Sequence, residues 1–163
     1  MIRVGIIILS DKAAAGSRED GSGPILEKFA SEAGWQVEKR TVLPDDADAL
    51  RKELLFLSDE RRVDLVLTSG GTGLGERDIT PEVTSQVIEK EVPGLSEMLR
   101  WEGYRQVPAA VLSRGCSGVR GKTLIINLPG SPRAVRQARE SLAPVLPHAL
   151  EVLRGEAEEC ASN

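Results

Sequence analysis

Three short runs of apolar residues without polar alternation recur along the chain, at residues 4–9, 63–68 and 123–128. Such runs predict strands that are covered on both faces, as in a parallel sheet with helices on either side. Residues 35–42 alternate loosely between apolar and polar side chains and predict a further strand. Residues 109–114 predict another, which a glycine-containing connection would join to the last strand.

The segments between these runs show the helical spacing of apolar residues. Residues 24–33 begin with a proline, which suits the first turn of a helix, and are followed by Gly34, which suits a helix end. Either Asp45 or Asp46 can cap the next helix, because aspartate is a preferred N-cap residue. The later helices are predicted at residues 80–90, at residues 95–104 and from Ser131 onwards.

This order of elements predicts the α/β class, and more specifically a three-layer α/β/α sandwich with a mainly parallel central sheet. At 163 residues the chain fits a single domain. We expect residues 1–155 to form that domain and residues 156–163, a polar and acidic end, to be a flexible tail. Ligands of such sheets bind at the carboxyl ends of the strands, so the residues after each strand are the candidates for a site.

Composition narrows the classes of ligand. The formal net charge is −4, and aromatic residues make up only 3% of the chain. A nucleic-acid-binding surface needs a basic stripe with stacking side chains, so a small-molecule ligand is favoured. The two cysteines, Cys116 and Cys160, lie far apart and predict a reducing compartment, the cytoplasm, rather than a disulfide scaffold. The six apolar residues 4–9 are too few to cross a membrane.

The turn that follows the apolar run at residues 63–68 is rich in glycine. It reads Thr-Ser-Gly-Gly-Thr-Gly at residues 68–73, and its glycines allow positive φ and let several N–H groups face an anion. Its hydroxyls add donors. The alternative interpretation is a tight connection from strand to helix without a ligand. The anion-binding residues predicted from this turn are Ser69, Gly70, Gly71, Thr72 and Gly73.

Two standard phosphate-binding motifs are excluded. The dinucleotide fingerprint G-x-G-x-x-G does not fit this turn, because Glu76 stands where the last glycine would be. The stretch that ends in Gly121, Lys122 and Thr123 resembles the end of a P-loop, but Cys116 occupies its first glycine position and a strand follows. Phosphate binding by this chain would therefore use a different loop.

Two other strand exits carry polar and turn-forming residues, and we expect them to converge with the glycine turn at one edge of the sheet. The exit at residues 127–132 has a plain alternative, a turn in which Ser131 caps a helix. Even so, that alternative leaves a helix N-terminus at the crevice, which favours anions. The residues predicted at these two exits are Ser10, Asp11, Asn127, Pro129, Gly130 and Ser131.

Asp45 and Asp78 are the carboxylates that stand out, since each lies in a loop after a predicted strand, where Mg²⁺ and a polyphosphate could meet. Each also has a structural alternative. Asp45 can merely cap a helix, and Asp78 can pair with Arg77 or Arg100 at the surface. The lone histidine, His148, has no neighbouring pattern that predicts a catalytic triad or a zinc site.

Three motifs in order resemble the MogA/MoaB family, namely TSGGTGLGERDITPE at residues 68–82, VPGLSEMLR at 92–100 and NLPGSP at 127–132. The resemblance covers nearly the whole chain and implies a MogA-like fold. It also implies Mg²⁺- and ATP-dependent adenylylation of the terminal phosphate of molybdopterin, with release of pyrophosphate. A homotrimer and a molybdenum-insertion protein as a partner are further implications of the family.

Carried over by position, the resemblance assigns roles to residues. Asp45 and Asp78 match the family's functional aspartates and would organise Mg²⁺ and ATP as catalytic residues. Glu97 and Arg100, with the glycine turn, would lie on the molybdopterin side, and the other two strand exits would contact the nucleotide. The alternative is a non-catalytic MoaB-type carrier or scaffold that binds molybdopterin without consuming ATP. The presence of both aspartates favours the enzyme.

Overall fold

A computed structural model describes residues 1–156, in which strands and helices are interspersed along the chain. The strands are β1 (Arg3–Leu9), β2 (Gln36–Leu43), β3 (Leu65–Ser69), β4 (Lys90–Glu91), β5 (Ser117–Arg120) and β6 (Thr123–Leu128). The helices are α1 (Asp11–Ala14), α2 (Gly23–Glu32), α3 (Ala47–Leu55), α4 (Thr80–Val87), α5 (Pro93–Gln106), α6 (Pro132–Leu142) and α7 (Leu146–Arg154). A π-helical turn, Phe56–Glu60, extends α3, and a 3₁₀ helix spans Pro108–Leu112.

All six strands belong to one sheet, in the order β2-β1-β3-β6-β5-β4. Strands β2, β1, β3 and β6 pair in parallel, whereas β5 is antiparallel to β6 and β4 is antiparallel to β5. The mainly parallel sheet predicted from the apolar runs is confirmed. Parallel strands require crossover connections, and the helices supply them.

The sheet is covered on both faces, because successive side chains of a strand point to opposite sides. Ile6 and Ile8 of β1 belong to the hydrophobic core under α2, α5, α6 and α7. Ile7 and Leu9 belong to a second core under α3 and α4. All four side chains are buried, which explains why β1 is a continuous apolar run and confirms the three-layer sandwich.

The prediction of a strand at residues 109–114 is wrong. These residues form most of the 3₁₀ helix, and the strand beside β6 is instead β5. Pro108 has no N–H group for a sheet ladder and suits the first turn of a helix. Val111 and Leu112 are 55% and 53% exposed, so the apolar character of this run belongs to the surface and not to a buried strand.

The chain leaves β1 and β3 towards opposite faces of the sheet. Helix α2, which follows β1, covers one face, and α4, which follows β3, covers the other. Adjacent parallel strands whose connections diverge in this way leave a crevice at their carboxyl ends, where ligands of open α/β sheets bind. None of the helices within residues 1–156 is long and apolar enough to cross a membrane. Residues 157–163 of the predicted tail lie outside the described residues.

Candidate functional site

The exits of β1, β3 and β6 meet at one edge of the sheet, as the sequence predicts. Ser69 at the end of β3 is in register with Ile8 of β1 on one side and with Leu128 of β6 on the other. Its hydroxyl donates to the carbonyl of Pro129 at 2.9 Å, and the N–H of Gly70 donates to the carbonyl of Leu128 at 3.1 Å. These bonds fasten the glycine turn to the turn after β6.

Positive φ is confirmed at two glycines of the turn, Gly70 (φ +106°) and Gly71 (φ +66°). A Cβ at Gly70 would lie 2.2 Å from the carbonyl oxygen of Leu9, so the turn can approach β1 only with glycine at this position. The first residue of α4 closes the turn from the other side, because the Thr80 hydroxyl donates to the carbonyl of Gly70 at 2.9 Å.

Both candidate aspartates lie against glycines of this turn. A Cβ at Gly71 would be 3.2 Å from Oδ1 of Asp45, and a Cβ at Gly73 would be 2.8 Å from Oδ2 of Asp78. The same oxygen of Asp78 accepts a hydrogen bond from the N–H of Gly75 at 2.9 Å. The absence of side chains at these glycines therefore leaves space for two carboxylates against the backbone of the predicted anion-binding turn.

Asp45 and Asp11 bind each other's backbone across the crevice. The N–H of Asp11 donates to Oδ2 of Asp45 at 3.2 Å, and the N–H of Asp45 donates to Oδ1 of Asp11 at 3.0 Å. The N-cap of α3 is Asp46, whose Oδ1 accepts from Ala49 N–H at 2.8 Å, so the capping alternative for Asp45 is wrong. Burial raises the pKa of the Asp45 carboxyl, and the carboxylates of Asp11 and Asp78 add to the increase.

Arg77 forms a bidentate ion pair with Asp11, with Nε and Nη2 each 2.7 Å from a carboxylate oxygen. The surface pairing of Asp78 with Arg77 or Arg100 that the sequence allows is therefore not what forms. Hydrogen bonding from Arg77 lowers the pKa of the Asp11 carboxyl. Arg77 is a further member of the site, for which the sequence predicts only a surface pairing with Asp78.

Substitution of Arg77 by Ala is expected to raise the pKa of Asp11 towards its ordinary value and to raise the pKa of Asp45 further, because the Arg77 charge lowers both. The folded-state pKa of Asp11 is depressed, so the pair stabilises the fold above the unfolded-state pKa of about 4 and loses that effect as the pH falls. Carboxyl-carbon NMR titration of the two aspartates measures both shifts. An unchanged Asp11 titration would contradict the pairing in solution.

The side chain of Asn127, a residue predicted to contact the nucleotide, has a structural role in the sheet. It is buried, and its Nδ2 donates to the hydroxyls of Thr68 and Thr84, each at 3.0 Å. Its Oδ1 accepts from the N–H of Cys116 at 3.2 Å. The side chain thus joins β6 to β3, to α4 and to the segment before β5, and its polar atoms face protein groups.

Replacing Asn127 by Ala is expected to reduce the free energy of unfolding by about 2–3 kcal/mol, because it leaves the Cys116 N–H without its side-chain acceptor and the two threonine hydroxyls without a donor. Urea unfolding followed by circular dichroism measures the loss. Thr84→Ser, which keeps the hydroxyl, is the milder control and should lose clearly less. Equal stability of Asn127→Ala and wild type would contradict this network.

The remaining exit residues form turns and helix starts at the same edge. Ser10 caps α1, and its Oγ accepts from Ala13 N–H at 3.1 Å. Ser131 caps α6 in the predicted way, with its Oγ accepting from Ala134 N–H at 3.2 Å. The N-terminus of α6 is therefore at the carboxyl edge, where its partial positive charge favours anions. Gly130 is held by Ser22, whose hydroxyl donates to the Gly130 carbonyl at 3.0 Å.

A mainly apolar cavity of about 230 Å³ lies beside this edge, between α5, α6 and the 3₁₀ helix. Residues 127, 129 and 131, at the end of β6 and in the turn after it, also form part of its wall, and Arg100 forms another part. Nη1 of Arg100 donates to the carbonyl of Gly115 at 2.8 Å. Glu97, the other residue predicted on the molybdopterin side, is exposed and does not line the cavity. Of the two residues predicted on the molybdopterin side, Arg100 therefore lines the cavity and Glu97 does not.

Known proteins resemble this chain over most of its length. A family model described as a probable molybdopterin binding domain, MoCF_biosynth, matches residues 5–148. The chain is similar to the molybdopterin adenylyltransferase of Helicobacter pylori, with 39% identity over 156 residues that cover 94% of this chain and 89% of the relative.

Two solved structures extend the similarity to the fold. The molybdopterin biosynthesis enzyme MoaB from Thermus thermophilus is 45% identical, with a TM-score of 0.90 over 95% of this chain and 98% of that one. The tungsten cofactor synthesizing protein MoaB from Pyrococcus furiosus is 34% identical, with a TM-score of 0.86 over 94% and 98% of the two chains. Both matches extend over nearly the whole chain, so they include the elements that form the sheet edge.

Proposed function

Because the chain belongs to the MogA/MoaB family of molybdopterin-binding domains, we propose that it adenylylates molybdopterin, with Mg²⁺ and ATP. The observation that carries the proposal is the contact of two carboxylates, Asp45 and Asp78, with the glycines of an anion-binding turn. Anion-binding backbone and metal-binding oxygens are the two components that transfer between phosphates needs.

The carboxylates of Asp45 and Asp78 are oxygen ligands of the kind that Mg²⁺ prefers. The carboxylates of Asp11 and Asp78 are near enough to Asp45 to raise its pKa in addition to the effect of burial, and a divalent cation would relieve that repulsion. Within residues 1–156 no group of three or more His, Cys, Asp and Glu side chains is arranged as a metal site. Asp45 and Asp78 would therefore hold the ion together with water and ligand phosphates, as is usual for Mg²⁺. The ion would neutralise charge on the reacting phosphates.

The reaction needs no covalent intermediate on the protein. An oxygen of the molybdopterin phosphate forms a bond to the α-phosphorus of ATP, and the bond from that phosphorus to the β-bridging oxygen breaks and releases pyrophosphate. Both reactants are anions, so the protein contributes position and charge stabilisation. The glycine turn and the N-terminus of α6 supply N–H donors and partial positive charge for this purpose.

We assign the two ligands to the two sides of the glycine turn. Ser69, Gly70, Gly71, Thr72 and Gly73 would form the site of the molybdopterin phosphate. The backbone N–H groups after Gly70 would be its main donors, since the hydroxyl of Ser69 is bound to Pro129 and the N–H of Gly70 to Leu128. The apolar cavity at Arg100 would take the pterin ring. Ser10, Asp11 and the turn from Pro129 to Ser131 would contact the nucleotide.

Incubation with molybdopterin, ATP and Mg²⁺ tests the proposal, with release of pyrophosphate and formation of adenylylated molybdopterin as the expected result. Omission of Mg²⁺ should abolish both products. Molybdopterin binding without ATP consumption would instead identify the non-catalytic carrier. The assay thus separates the two functions that the sequence leaves open.

A homotrimer is part of the proposal. Five large apolar side chains of α5 and the 3₁₀ helix region are 41–59% exposed, and exposed apolar side chains on neighbouring elements often mark an interface between subunits. They are Trp101, Tyr104, Val107, Val111 and Leu112. Two further copies of the chain would cover this surface, and sedimentation equilibrium tests the assembly, with a monomer as the contradicting result. The cytoplasmic location and the molybdenum-insertion protein as recipient stay predictions from the sequence.

A further inference from the structure

Arg114 binds the outer side of the glycine loop, by which we mean residues 70–78. Its backbone N–H donates to the carbonyl of Thr72 at 2.9 Å, its Nε to the carbonyl of Gly73 at 2.7 Å and its Nη2 to the carbonyl of Asp78 at 2.7 Å. Nη1 pairs with the carboxylate of Glu82 on α4. One residue therefore ties both ends of the segment 73–78 to the helix that follows it.

That segment has few other attachments. It belongs to no helix or strand, and its middle residues, 74–76, are exposed. Its remaining bonds within the described residues are one turn between Asp78 and Gly75 and the ion pair of Arg77 with Asp11. Fixing an exposed, glycine-containing backbone is entropically unfavourable, so a segment of this kind needs an anchor if its carboxylate is to stay in place.

We propose that Arg114 is a positioning residue for adenylyl transfer, which holds the backbone of Gly73 and Asp78 so that the Asp78 carboxylate stays against the glycine turn. The inference rests on the proposed function, because it concerns the geometry of that site. A planar guanidinium can reach two carbonyls and a carboxylate at once, whereas the ammonium of lysine is a single point of donation. Within residues 1–156 the guanidinium of Arg114 binds protein carbonyls and a carboxylate, so it acts through Asp78.

Arg100 binds the backbone on both sides of Arg114. Nη1 of Arg100 donates to the carbonyl of Gly115 at 2.8 Å and approaches that of Ser113 at 3.4 Å, on the two sides of Arg114 in the chain. The wall of the apolar cavity and the glycine loop are thus joined through residues 113–115. Arg100 therefore fixes the segment that carries the anchor, and this contact is distinct from any contact with the pterin ring.

Arg120 provides a matched control. Its guanidinium also forms a bidentate pair, with Asp59 at 2.8 Å, and donates to a carbonyl, that of Val87 at 3.0 Å. It is comparably shielded, with 25% of its side chain exposed against 35% for Arg114. It lies at the amino edge of the sheet, because Arg120 pairs with Thr123 at the start of β6. Arg120→Lys therefore makes the same chemical change away from the site.

The experiment compares Arg114→Lys and Arg120→Lys in pyrophosphate release and in hydrogen exchange of the amides of residues 73–78. We expect Arg114→Lys to lower kcat about tenfold, with little change in KM for molybdopterin, and to speed exchange in the segment by a similar factor. Arg120→Lys should leave both unchanged. Guanidinium ion should restore part of the rate of Arg114→Ala and should not affect the wild type.

Both measurements, kcat and amide exchange, can contradict the positioning role of Arg114. Unchanged exchange at residues 73–78 in Arg114→Lys, or an equal loss of kcat in Arg120→Lys, would overturn it. Failure of guanidinium to raise the rate of Arg114→Ala would also count against it. If the wild-type protein releases no pyrophosphate, the proposed function fails, and the exchange measurement still decides whether Arg114 holds the loop.

Discussion

Substitution of Asp78 by Asn is expected to lower kcat for adenylyl transfer about 10²- to 10³-fold, the range for loss of one group that stabilises a transition-state charge. The side-chain oxygen of Asn can still accept the hydrogen bond from Gly75 N–H, so the loop should keep its shape. What the variant lacks is the negative charge that would hold Mg²⁺ beside Asp45. Molybdopterin binding should therefore persist, and its equilibrium titration alongside initial rates of pyrophosphate release measures both effects.

Glu76→Gln is the matched control for this variant. Glu76 lies in the same loop and is exposed, and no hydrogen bond or ion pair of its side chain occurs within residues 1–156. The two substitutions change the net charge equally, so a difference between them reports the position of the carboxylate. A wild-type rate in Asp78→Asn would contradict the assignment of Asp78 to Mg²⁺ and ATP.

Asp45 and its neighbour Asp46 allow the same comparison on the other side of the crevice. Asn at position 46 can still cap α3, so Asp46→Asn should be nearly neutral. Asp45→Asn removes the carboxylate that lies against Gly71 and should resemble Asp78→Asn. The sequence alone leaves open which of the two aspartates caps the helix, because both are suitable residue types at adjacent positions.

The convergence of the strand exits could be predicted because it follows from topology. Continuous apolar runs such as residues 4–9 occur in strands that are buried on both faces, and parallel strands place all their carboxyl ends at one edge. The residues after each strand therefore meet at that edge, and this does not depend on where each helix begins or ends. This is why the glycine turn and Asp45 could be placed together although they are far apart in the chain.

The partner of each polar side chain could not be predicted in the same way. Arg77 binds Asp11, 66 residues away, and not its neighbour Asp78. Asn127 lies at a strand exit, but its amide meets hydroxyls from two other elements. Such choices depend on small differences in distance between separate segments, which residue types and spacing do not determine. Arg114 was hidden for a related reason, since it lies in a run that the sequence misassigns to a strand.

Gly70→Ala is expected to have the largest effect on stability, a loss of more than about 3 kcal/mol in the free energy of unfolding, because it combines an unfavourable φ with a clash. The new Cβ would lie 2.2 Å from the carbonyl oxygen of Leu9, in a strand paired on both sides. Gly16→Ala is the control, since Gly16 also has positive φ (+73°) but would place its Cβ in open space. Its loss should be about 1–2 kcal/mol, the cost of the left-handed conformation alone.

Urea unfolding of the two variants separates the destabilisation caused by the clash with Leu9 from that caused by the positive φ alone. An equal loss in both would mean that the contact between Gly70 and Leu9 does not constrain residue 70. The contact also draws the exits of β3 and β1 together, so stability and adenylyl transfer should fall jointly in Gly70→Ala. In Asp78→Asn the rate should fall at nearly constant stability, because that substitution alters charge and leaves the backbone of the glycine loop in place. This contrast distinguishes the glycines, which shape the site, from the carboxylates, which act within it.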